Sequence, residues 1–224
     1  NPSLFIYLWA PMSIFNQLMI GSGVCWTITY LLILRRGILD LTYGMPAAAL
    51  FANLAWEIIY SFIHPHTMPQ LAVDRIWLTF DFLLLLQYLR FGPSVRKVRI
   101  NITFYLEFLL SFSVTFILIL LVSDALHDDN GAYVAFGQNL MMSALFIAIL
   151  RDRKSASGQS IYIALFKLAG TLLASVAFYT QTKTYSHSPL MQFLFVAILA
   201  YDVVYVFMLA NQLKRQRIKV FGRF

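Results

Sequence analysis

The sequence predicts an all-α integral membrane protein: a bundle of seven transmembrane helices that forms one domain over residues 1–224. Three observations predict this fold class. The composition is 60% hydrophobic and 12% charged, and the mean hydropathy of +0.72 is far above that of a soluble domain. Seven apolar stretches are long enough to cross a bilayer. The connections between them are too short for a soluble catalytic or nucleic-acid-binding domain, so function is expected in or at the membrane.

Each predicted span holds roughly 20 mostly apolar residues, the length that a helix needs to cross the hydrocarbon core. In chain order the spans are residues 12–34, 44–63, 71–90, 102–122, 133–150, 161–181 and 189–211. Segments rich in charge, glycine or proline separate them, as is typical of helix ends and turns. In the same order these separators are Arg35-Arg36-Gly37, His64-Pro65-His66, Gly92-Pro93-Ser94, residues 127–131, residues 155–158 and Ser186-His187-Ser188-Pro189.

The distribution of basic residues predicts the orientation of the bundle. The chain has 17 Lys and Arg against 10 Asp and Glu, a net charge of +7. Most of the basic residues follow the first, third and fifth spans or lie at the C-terminus: Arg35, Arg36, Arg90, Arg96, Lys97, Arg99, Arg151, Arg153, Lys154, Lys214, Arg215, Arg217, Lys219 and Arg223. Because cytosolic connections are enriched in Lys and Arg, the N-terminus is predicted to be outside or luminal and the C-terminus cytosolic. The charge then reflects topology and contact with membrane lipids, and no nucleic-acid partner is expected.

Three carboxyl groups are predicted to lie deep in the membrane. At about 1.5 Å per residue, Glu57, Asp81 and Asp202 lie about 10, 15 and 20 Å from the outer ends of their spans, so they can share one central layer. An isolated carboxylate there is very unfavourable. With no cation expected at the same depth, we predict neutral acids, or an acid and a carboxylate that share a proton. Such groups suit proton transfer.

The other ionisable residues of the spans are expected to be interfacial or paired. Asp74 and Arg75 lie near the start of the third span, where both can reach the headgroups. Lys167 is close enough to the cytosolic end of the sixth span to extend its ammonium group to the surface, and Glu107 lies near the same boundary in the fourth span.

Polar and aromatic side chains surround the deep carboxyl groups in the sequence. Asn53, Glu57 and Tyr60 are spaced i, i+4 and i+7 and therefore share one helix face, with Trp56 beside them. In the last span Asp202 and Tyr205 share a face, and Tyr201 adjoins it. Polar packing between helices is an equally open interpretation of such faces. The alternative is a dry aromatic pocket containing an acid, which is a suitable host for a carbocation.

No metal site or cofactor is predicted. The single cysteine, Cys25, cannot form an intrachain disulfide or a thiolate metal site. The acidic segment 124–129 lies in an exposed connection without a second ligand group, and His64 and His66 are expected to be solvated turn residues. Phosphate-binding, metalloprotease and hydrolase motifs are absent from the sequence.

Two stretches carry a resemblance to a known family. The first is residues 44–60, with Gly-Met-Pro at its start and Asn53-x-x-Trp56-Glu57-x-x-Tyr60 within the second span; the second is Tyr201-Asp202-Val203-Val204-Tyr205. They resemble the signature of the small, seven-span, membrane-bound terpene cyclases of fungal meroterpenoid and indole-diterpene pathways, which also have bacterial relatives. The span count, chain length and topology agree with that family.

The resemblance implies an activity in secondary metabolism, of the isomerase or lyase type. It implies that Glu57 and Asp202 are the acid pair, which is the pair that the depth argument selects, with Asp81 as a third polar group. An acid of this family protonates the terminal epoxide or alkene of a prenyl tail on an aromatic or indole group. The cation then closes rings and finally loses a proton. The resemblance implies neither a metal nor ionisation of a diphosphate.

Two other functions remain open from the residues alone. Buried carboxyl groups also serve proton-coupled transporters of small molecules, and seven helices also form receptors. For a cyclase, the expected partners are a prenylated lipophilic substrate and membrane lipids. The expected location is the endoplasmic reticulum if the source is eukaryotic and the plasma membrane if it is bacterial.

Overall fold

The computed structural model describes residues 13–96 and 102–224, and the regular structure of these residues is helical. The longer helices are α1 (Ile14–Leu39), α2 (Ala47–Ile58), α3 (Gln70–Arg96), α4 (Ile102–Ala125), α5 (Ala132–Arg153), α6 (Ile161–Gln181) and α8 (Pro189–Arg215). Three short elements complete the set: a π-helical turn over Ile59–Ile63 that continues α2, α7 (Lys183–Ser186) and a 3₁₀ turn over Val220–Gly222. The prediction of an all-helical membrane fold is confirmed.

The helices differ in how well they suit a membrane crossing. Among the described residues, α1, α4, α5, α6 and α8 are long and apolar enough to span a bilayer. The apolar segment Ala47–Ile63 is shorter, and α3 contains several charged residues. A helix nevertheless covers most of each predicted span. The predicted end of the third span was wrong, because α3 continues through Pro93 to Arg96.

Side-chain caps fix the starts of three helices. The hydroxyl oxygens of Ser13, Ser160 and Ser188 accept hydrogen bonds from backbone N–H groups in the first turns of α1, α6 and α8. Serine is a preferred N-cap because its oxygen satisfies one of the free N–H groups at the helix start. Pro189 follows at the first position of α8, where its missing N–H has no consequence.

The contacts between neighbouring helices form a closed ring in the order α1, α3, α2, α5, α8, α6 and back to α1. Helix α4 lies outside this ring, against α2 and α5, and most of its surface is exposed apolar side chain. Its position leaves α2 almost completely buried. Exposed apolar residues on α4 and on the outer face of α8, such as Leu110, Leu121, Phe193 and Val196, suit contact with lipid.

Helices α1 and α6 make the most extensive contact of the bundle. Glycines allow this approach: a Cβ atom on Gly170 would lie 2.9 Å from Cδ1 of Trp26 and 3.1 Å from Cβ of Cys25. On Gly21 it would lie 3.2 Å from Leu173. Small residues at helix interfaces let the backbones approach closely and increase van der Waals packing. Gly170 thereby sets the position of the Trp26 ring inside the bundle.

At one end of the bundle, connections 40–46 and 154–160 meet the C-terminal segment 216–224. Asp40 accepts hydrogen bonds from the guanidinium group of Arg223 and, at 2.7 Å, from a backbone N–H of the 154–160 connection. We call this the basic end. The predicted basic residues Lys97 and Arg99 lie outside the described residues, and of Arg96 only the backbone is described.

At the opposite end, connections 64–69, 126–131 and 182–188 come together. Nε2 of His66 donates to the carbonyl oxygen of Asn130 at 3.2 Å, and this contact joins the first two connections. The predicted alternation of connections between two ends therefore agrees with the contacts of the described residues.

Gly170→Ala should destabilise the protein, because a methyl group at this position collides with Trp26 in a closely packed interface. Overpacking of this kind costs about 1–3 kcal/mol. Thermal unfolding in detergent measures the change. Gly137→Ala is the matched control, since a Cβ atom on Gly137 meets nothing within 4 Å. Equal melting temperatures for the two variants would contradict the packing role of Gly170.

Candidate active site

Two groups of buried polar side chains lie inside the helix ring. We call the first the carboxyl cluster; it contains Tyr30, Asn53, Glu57 and Asp81, from α1, α2 and α3. We call the second the ion-pair cluster; it contains Ser143, Lys167 and Asp202, from α5, α6 and α8. The predicted acids Glu57 and Asp202 are thus both buried, but they belong to different clusters.

The carboxyl cluster is short of hydrogen-bond partners. Glu57 is 3% exposed and Asp81 is 0% exposed. Oε2 of Glu57 and both carboxyl oxygens of Asp81 are buried without a hydrogen bond of normal geometry. The Tyr30 hydroxyl, which accepts a hydrogen bond from Nδ2 of Asn53 at 2.9 Å, lies close enough to Asp81 to interact with it.

The carboxyl groups of this cluster act on one another. Glu57 lies within electrostatic reach of Asp81 and Asp74, both carboxyl groups, and neither Glu57 nor Asp81 has an ion pair among the described residues. Two unpaired anions this close together in a dry interior are very unfavourable. The geometry therefore disfavours two carboxylates and suits both predicted states, two neutral acids or an acid and a carboxylate that share a proton.

The ion-pair cluster has the opposite character. Nζ of Lys167 lies 2.6 Å from Oδ1 of Asp202 and donates to the hydroxyl oxygen of Ser143 at 2.6 Å. Lys167 is 0% exposed. Of the two predicted alternatives for Lys167, interfacial or paired, the structure shows the pair and not the extension to the membrane surface. The prediction that Asp202 has no cation at its depth was wrong. The lysine side chain turns inward because α6 packs against α8, so its ammonium group meets a carboxylate rather than water.

Trp26 lies between the two clusters. The Nζ atom of Lys167 is 5.8 Å from the Trp26 ring, and the rings of Trp26 and Tyr30, one helical turn apart on α1, are 6.4 Å from centroid to centroid. An aromatic face attracts a buried cation. Sequence reasoning missed Trp26, Tyr30 and Ser143, because nothing in the local pattern shows which faces of α1 and α5 point inward.

Trp56 and Tyr60 lie at the end of α2 and form part of the closure of the bundle. Nε1 of Trp56 donates to the carbonyl oxygen of Gly131 at 3.0 Å, and the Tyr60 hydroxyl donates to Oγ of Ser123 at 3.0 Å. The α-helix ends at Ile58 and continues as a π-helical turn over Ile59–Ile63, so Tyr60 lies just beyond the regular 3.6-residue spacing. The predicted place of Tyr60 on the same face as Glu57 stays a prediction.

His66 is integrated into the same end of the bundle. Its ring stacks on Tyr60 at a centroid distance of 4.9 Å and an interplanar angle of 8°. Nδ1 hydrogen-bonds to Oδ2 of Asp74 at 2.8 Å, and Nε2 to the carbonyl oxygen of Asn130. The prediction of a solvated His66 was therefore wrong. Of the two alternatives predicted for Asp74, interfacial or paired, the structure shows a fully buried carboxyl group paired with His66.

The environment of His66 favours the imidazolium form, because both ring nitrogens face acceptor oxygens. Burial alone would lower the pKa of His66, but the hydrogen bond and charge of Asp74 outweigh this effect and raise the pKa above its ordinary value of 6.5.

Asp128 has a structural role in the 126–131 connection, where it accepts two hydrogen bonds. Its Oδ2 accepts from the backbone N–H of Tyr133 at 2.6 Å, and its Oδ1 accepts from the Tyr185 hydroxyl at 3.0 Å. Burial, together with the Asp128 charge, raises the pKa of Tyr185 to about 12. Over residues 13–96 and 102–224, no three His, Cys, Asp or Glu side chains are grouped so as to hold a metal ion.

Tyr205 and Tyr201, both predicted to bind substrate, occupy different places. Tyr205 is buried one turn from Asp202, and its hydroxyl donates to Oε1 of Gln159. Tyr201 is 44% exposed on the outer face of α8, so its predicted place in the pocket was wrong. A helix of 3.6 residues per turn separates neighbouring positions by about 100°, and only Asp202 faces inward.

The start of the motif at residues 44–60 is held at the basic end. The N–H of Gly44 donates to Oε1 of Gln87 at 3.2 Å, and its carbonyl oxygen accepts from Nε2 of Gln159 at 3.1 Å. A Cβ atom at Gly44 would lie 2.7 Å from Cγ2 of Ile33. Gln159 also accepts a hydrogen bond from the Tyr205 hydroxyl. We call the contacts of Gln87 and Gln159 with Gly44 the glutamine bracket; it links the start of α2 to α8.

Comparison with known proteins agrees with this architecture. A family model described as Pyr4-like transmembrane terpene cyclases matches residues 6–215. The chain belongs to this family. The resemblance seen in residues 44–60 and 201–205 is thereby confirmed, and the protein is an integral membrane protein.

Three relatives of the Pyr4-like family illustrate the similarity. The Pyr4-family terpene cyclase mfmH of Annulohypoxylon moriforme is 26% identical over 215 residues, which cover 92% of this chain and 89% of the relative. Terpene cyclase macJ of Penicillium terrestre is 25% identical over 87% of this chain and 81% of its own. Asnovolin H synthase nvfL of Aspergillus novofumigatus is 28% identical over 72% and 68%, respectively. No solved structure matches the chain significantly.

Stability of this Pyr4-like chain should depend on pH through His66. Its raised pKa means that protonated His66 stabilises the fold fully below about pH 6.5, and that this contribution is lost as the pH rises through the raised value. Thermal unfolding across this window should show a falling melting temperature in the wild type and a flatter profile in His66→Gln. His64→Gln, at an exposed position in the same connection, should keep the wild-type profile. An unchanged profile in His66→Gln would contradict the role of His66.

Proposed function

We propose that this protein is a membrane-embedded terpene cyclase that starts cyclisation by protonating a prenylated substrate. The observation that carries the proposal is the carboxyl cluster, in which Glu57 and Asp81 are buried together with no counter-ion among residues 13–96 and 102–224. A polar group with no hydrogen bond is expensive to bury, and an unpaired anion far more so. The carboxyl cluster is costly to bury, and the chain belongs to the Pyr4-like transmembrane terpene cyclases. Together these two facts support a role of the cluster in acid catalysis.

In the proposed reaction, a neutral carboxylic acid transfers its proton to the terminal epoxide oxygen or terminal alkene carbon of a prenyl tail. The electrons of the O–H bond stay on the carboxylate, and a tertiary carbocation forms. Successive double bonds attack the cation and close rings. Loss of a proton from the carbon beside the last cation makes a new double bond, so the product is an isomer of the substrate.

The surroundings of the site support carbocation chemistry. Glu57 and Asp81 are shielded from bulk water, which would quench a cation. The rings of Tyr30 and Trp26 adjoin the carboxyl cluster, and aromatic faces stabilise positive charge without acting as strong nucleophiles. We propose Glu57 and Asp202 as the catalytic pair, with Asn53, Asp81 and Tyr205 as residues that shape the site.

The substrate class is proposed from the lipid setting and from the family. A prenylated aromatic or indole compound is lipophilic and reaches the bundle sideways from the membrane, without crossing water. The crevice beside Asp202 lies between α6 and α8, where Thr171 and Ser175 join apolar side chains in its lining, and its volume is about 10 Å³, room for about one water molecule. A substrate that reaches Asp202 through this crevice therefore requires α6 and α8 to separate from their packed positions.

We further propose that all seven longer helices cross the membrane, with the N-terminus outside or luminal. The basic end would then face the cytosol, in agreement with the positive-inside rule. The burial of α2 by α4 and its neighbours supports a crossing by this shorter helix. The proposed location is the endoplasmic reticulum in a eukaryotic cell or the plasma membrane in a bacterial one.

A proton-coupled transporter is the second candidate function, and the buried pair of Lys167 and Asp202 is the observation that favours it. Paired ionisable residues inside a membrane bundle often belong to proton pathways. The purified protein in liposomes distinguishes the two functions: a transporter takes up a solute in response to a proton gradient, whereas a cyclase converts a lipophilic substrate without a gradient.

Expression in a host that makes a prenylated aromatic compound, with and without terminal epoxidation, tests the cyclase proposal. The wild type should form polycyclic isomers of unchanged mass. Glu57→Gln should reduce substrate consumption by a factor of about 100 or more, the usual effect of losing a general acid, and Asp202→Asn should lose the normal product. Product analysis by mass spectrometry and chromatography measures both effects.

Matched control substitutions show whether the loss is specific to the site. Glu107→Gln on the exposed face of α4 and Asp152→Asn at the basic end make the same chemical changes away from both clusters. They should leave cyclisation unchanged, and all variants should accumulate in membranes to similar levels. Normal cyclisation by both Glu57→Gln and Asp202→Asn would overturn the proposed acid pair.

A further inference from the structure

We propose that Lys167 is a positioning residue that holds Asp202 as a carboxylate, so that Glu57 donates the first proton and Asp202 accepts the last. This assignment rests on the proposed function. The proposal assigns different roles to Glu57 and Asp202, which neither the sequence nor the family resemblance distinguishes. The two carboxyl groups differ in one respect that decides the matter: Asp202 has a cation in direct contact, and Glu57 has none among the described residues.

The ion-pair cluster is built to keep Lys167 charged. The ammonium group donates to Oδ1 of Asp202 and to Oγ of Ser143, both at 2.6 Å, and Trp26 offers its ring face at 5.8 Å. Ser143 in turn donates to the backbone carbonyl of Asn139 at 2.9 Å, which leaves its oxygen free to accept from lysine. Three partners around one ammonium group compensate for its removal from water.

The charge of Lys167 determines the charge of Asp202. A buried ammonium group that loses its counter-ion is very unfavourable, and so is a buried carboxylate that loses its cation. The pair is therefore stable as two opposite charges in contact. In that state Asp202 carries no proton to give, and its second oxygen, Oδ2, is buried without a hydrogen-bond partner.

The free Oδ2 atom suits the end of the reaction better than its start. A carboxylate oxygen without a hydrogen bond is a basic site in a dry interior, where it stabilises a nearby carbocation and removes a proton from the adjacent carbon. The electrons of the broken C–H bond form the new double bond. Since one proton leaves Glu57 and one arrives at Asp202 in each turnover, exchange with the aqueous phase resets both groups.

The carboxyl cluster supports the complementary task for Glu57. The carboxyl groups of Asp81 and Asp74 lie within its electrostatic reach and oppose a negative charge on Glu57 until a cation forms nearby. When the substrate becomes positively charged, the new carboxylate gains an attractive partner. Trp26 lies between the two clusters, and its ring and that of Tyr30 present aromatic faces on the way from donor to acceptor.

The test compares four variants: Glu57→Gln, Asp202→Asn, Lys167→Met and the double variant Lys167→Met/Asp202→Asn. Substrate consumption and the product mixture are measured separately. We expect Glu57→Gln to abolish consumption, with a loss of about 100-fold or more. Asp202→Asn and Lys167→Met should still consume substrate, but both should shift the product mixture towards incompletely cyclised or water-quenched compounds, and the double variant should resemble either single variant.

Infrared spectroscopy of the purified proteins reports the protonation state without any substrate. Besides the carbonyl band expected of neutral Glu57 in every protein of this set that keeps it, Lys167→Met should gain an additional band from protonated Asp202, which the wild type and the double variant lack. Lys167→Arg keeps the positive charge and should not gain this band. A merely structural role for Lys167 would leave the carboxyl bands unmoved, so this measurement separates positioning from packing. The double variant, which buries no charge at this site, keeps the test informative if the single variant folds poorly.

Three results would overturn the assignment: loss of substrate consumption in Asp202→Asn with retention in Glu57→Gln, a protonated Asp202 band in the wild type, or an unchanged product mixture in Lys167→Met. Failure of the proposed function would give a different set of results. In that case the wild type would cyclise no prenylated substrate, while the infrared spectra would still show whether Lys167 holds Asp202 ionised.

Discussion

The burial of carboxyl groups in a dry helix bundle is the constraint on which this molecule depends. A charged group inside the membrane needs a partner, and an unpartnered acid stays neutral. The chain contains both solutions. Asp202 is paired with Lys167, whereas Glu57 and Asp81 lie together with no cation in contact over the part of the chain that the structure describes. This difference in surroundings is the basis on which we propose different protonation states for Glu57 and Asp202.

The fold keeps these environments separate and dry. Helix α4 covers α2 from outside the ring, and the aromatic closure formed by Trp56, Tyr60 and His66 lies at the end of α2. At the basic end, the glutamine bracket fixes the Gly44 backbone: Gln87 accepts from its N–H, and Gln159 donates to its carbonyl oxygen. The glycine contact between α1 and α6 sets Trp26 between the two clusters. Packing at both ends and along one interface thus determines which side chains meet in the middle.

The sequence predicts the features that depend on composition along the chain. Apolar runs of bilayer length identify the helices, and a carboxyl group within such a run, as at Glu57 and Asp202, is visible at once. Features that depend on packing are hidden. The contact of Lys167 with Asp202 requires knowledge that α6 and α8 adjoin, and the π-helical turn that contains Tyr60 has no residue pattern that signals it.

The protonation state of Glu57 tests the account most directly. Infrared difference spectra between the wild type and Glu57→Gln at neutral pH report this state in the intact protein. The wild type should have a carbonyl band of a protonated carboxylic acid that the variant lacks, and this band should shift in deuterated water. A difference confined to the bands of ionised carboxylate would contradict the role of Glu57 as proton donor, because a carboxylate has no proton with which to begin cyclisation.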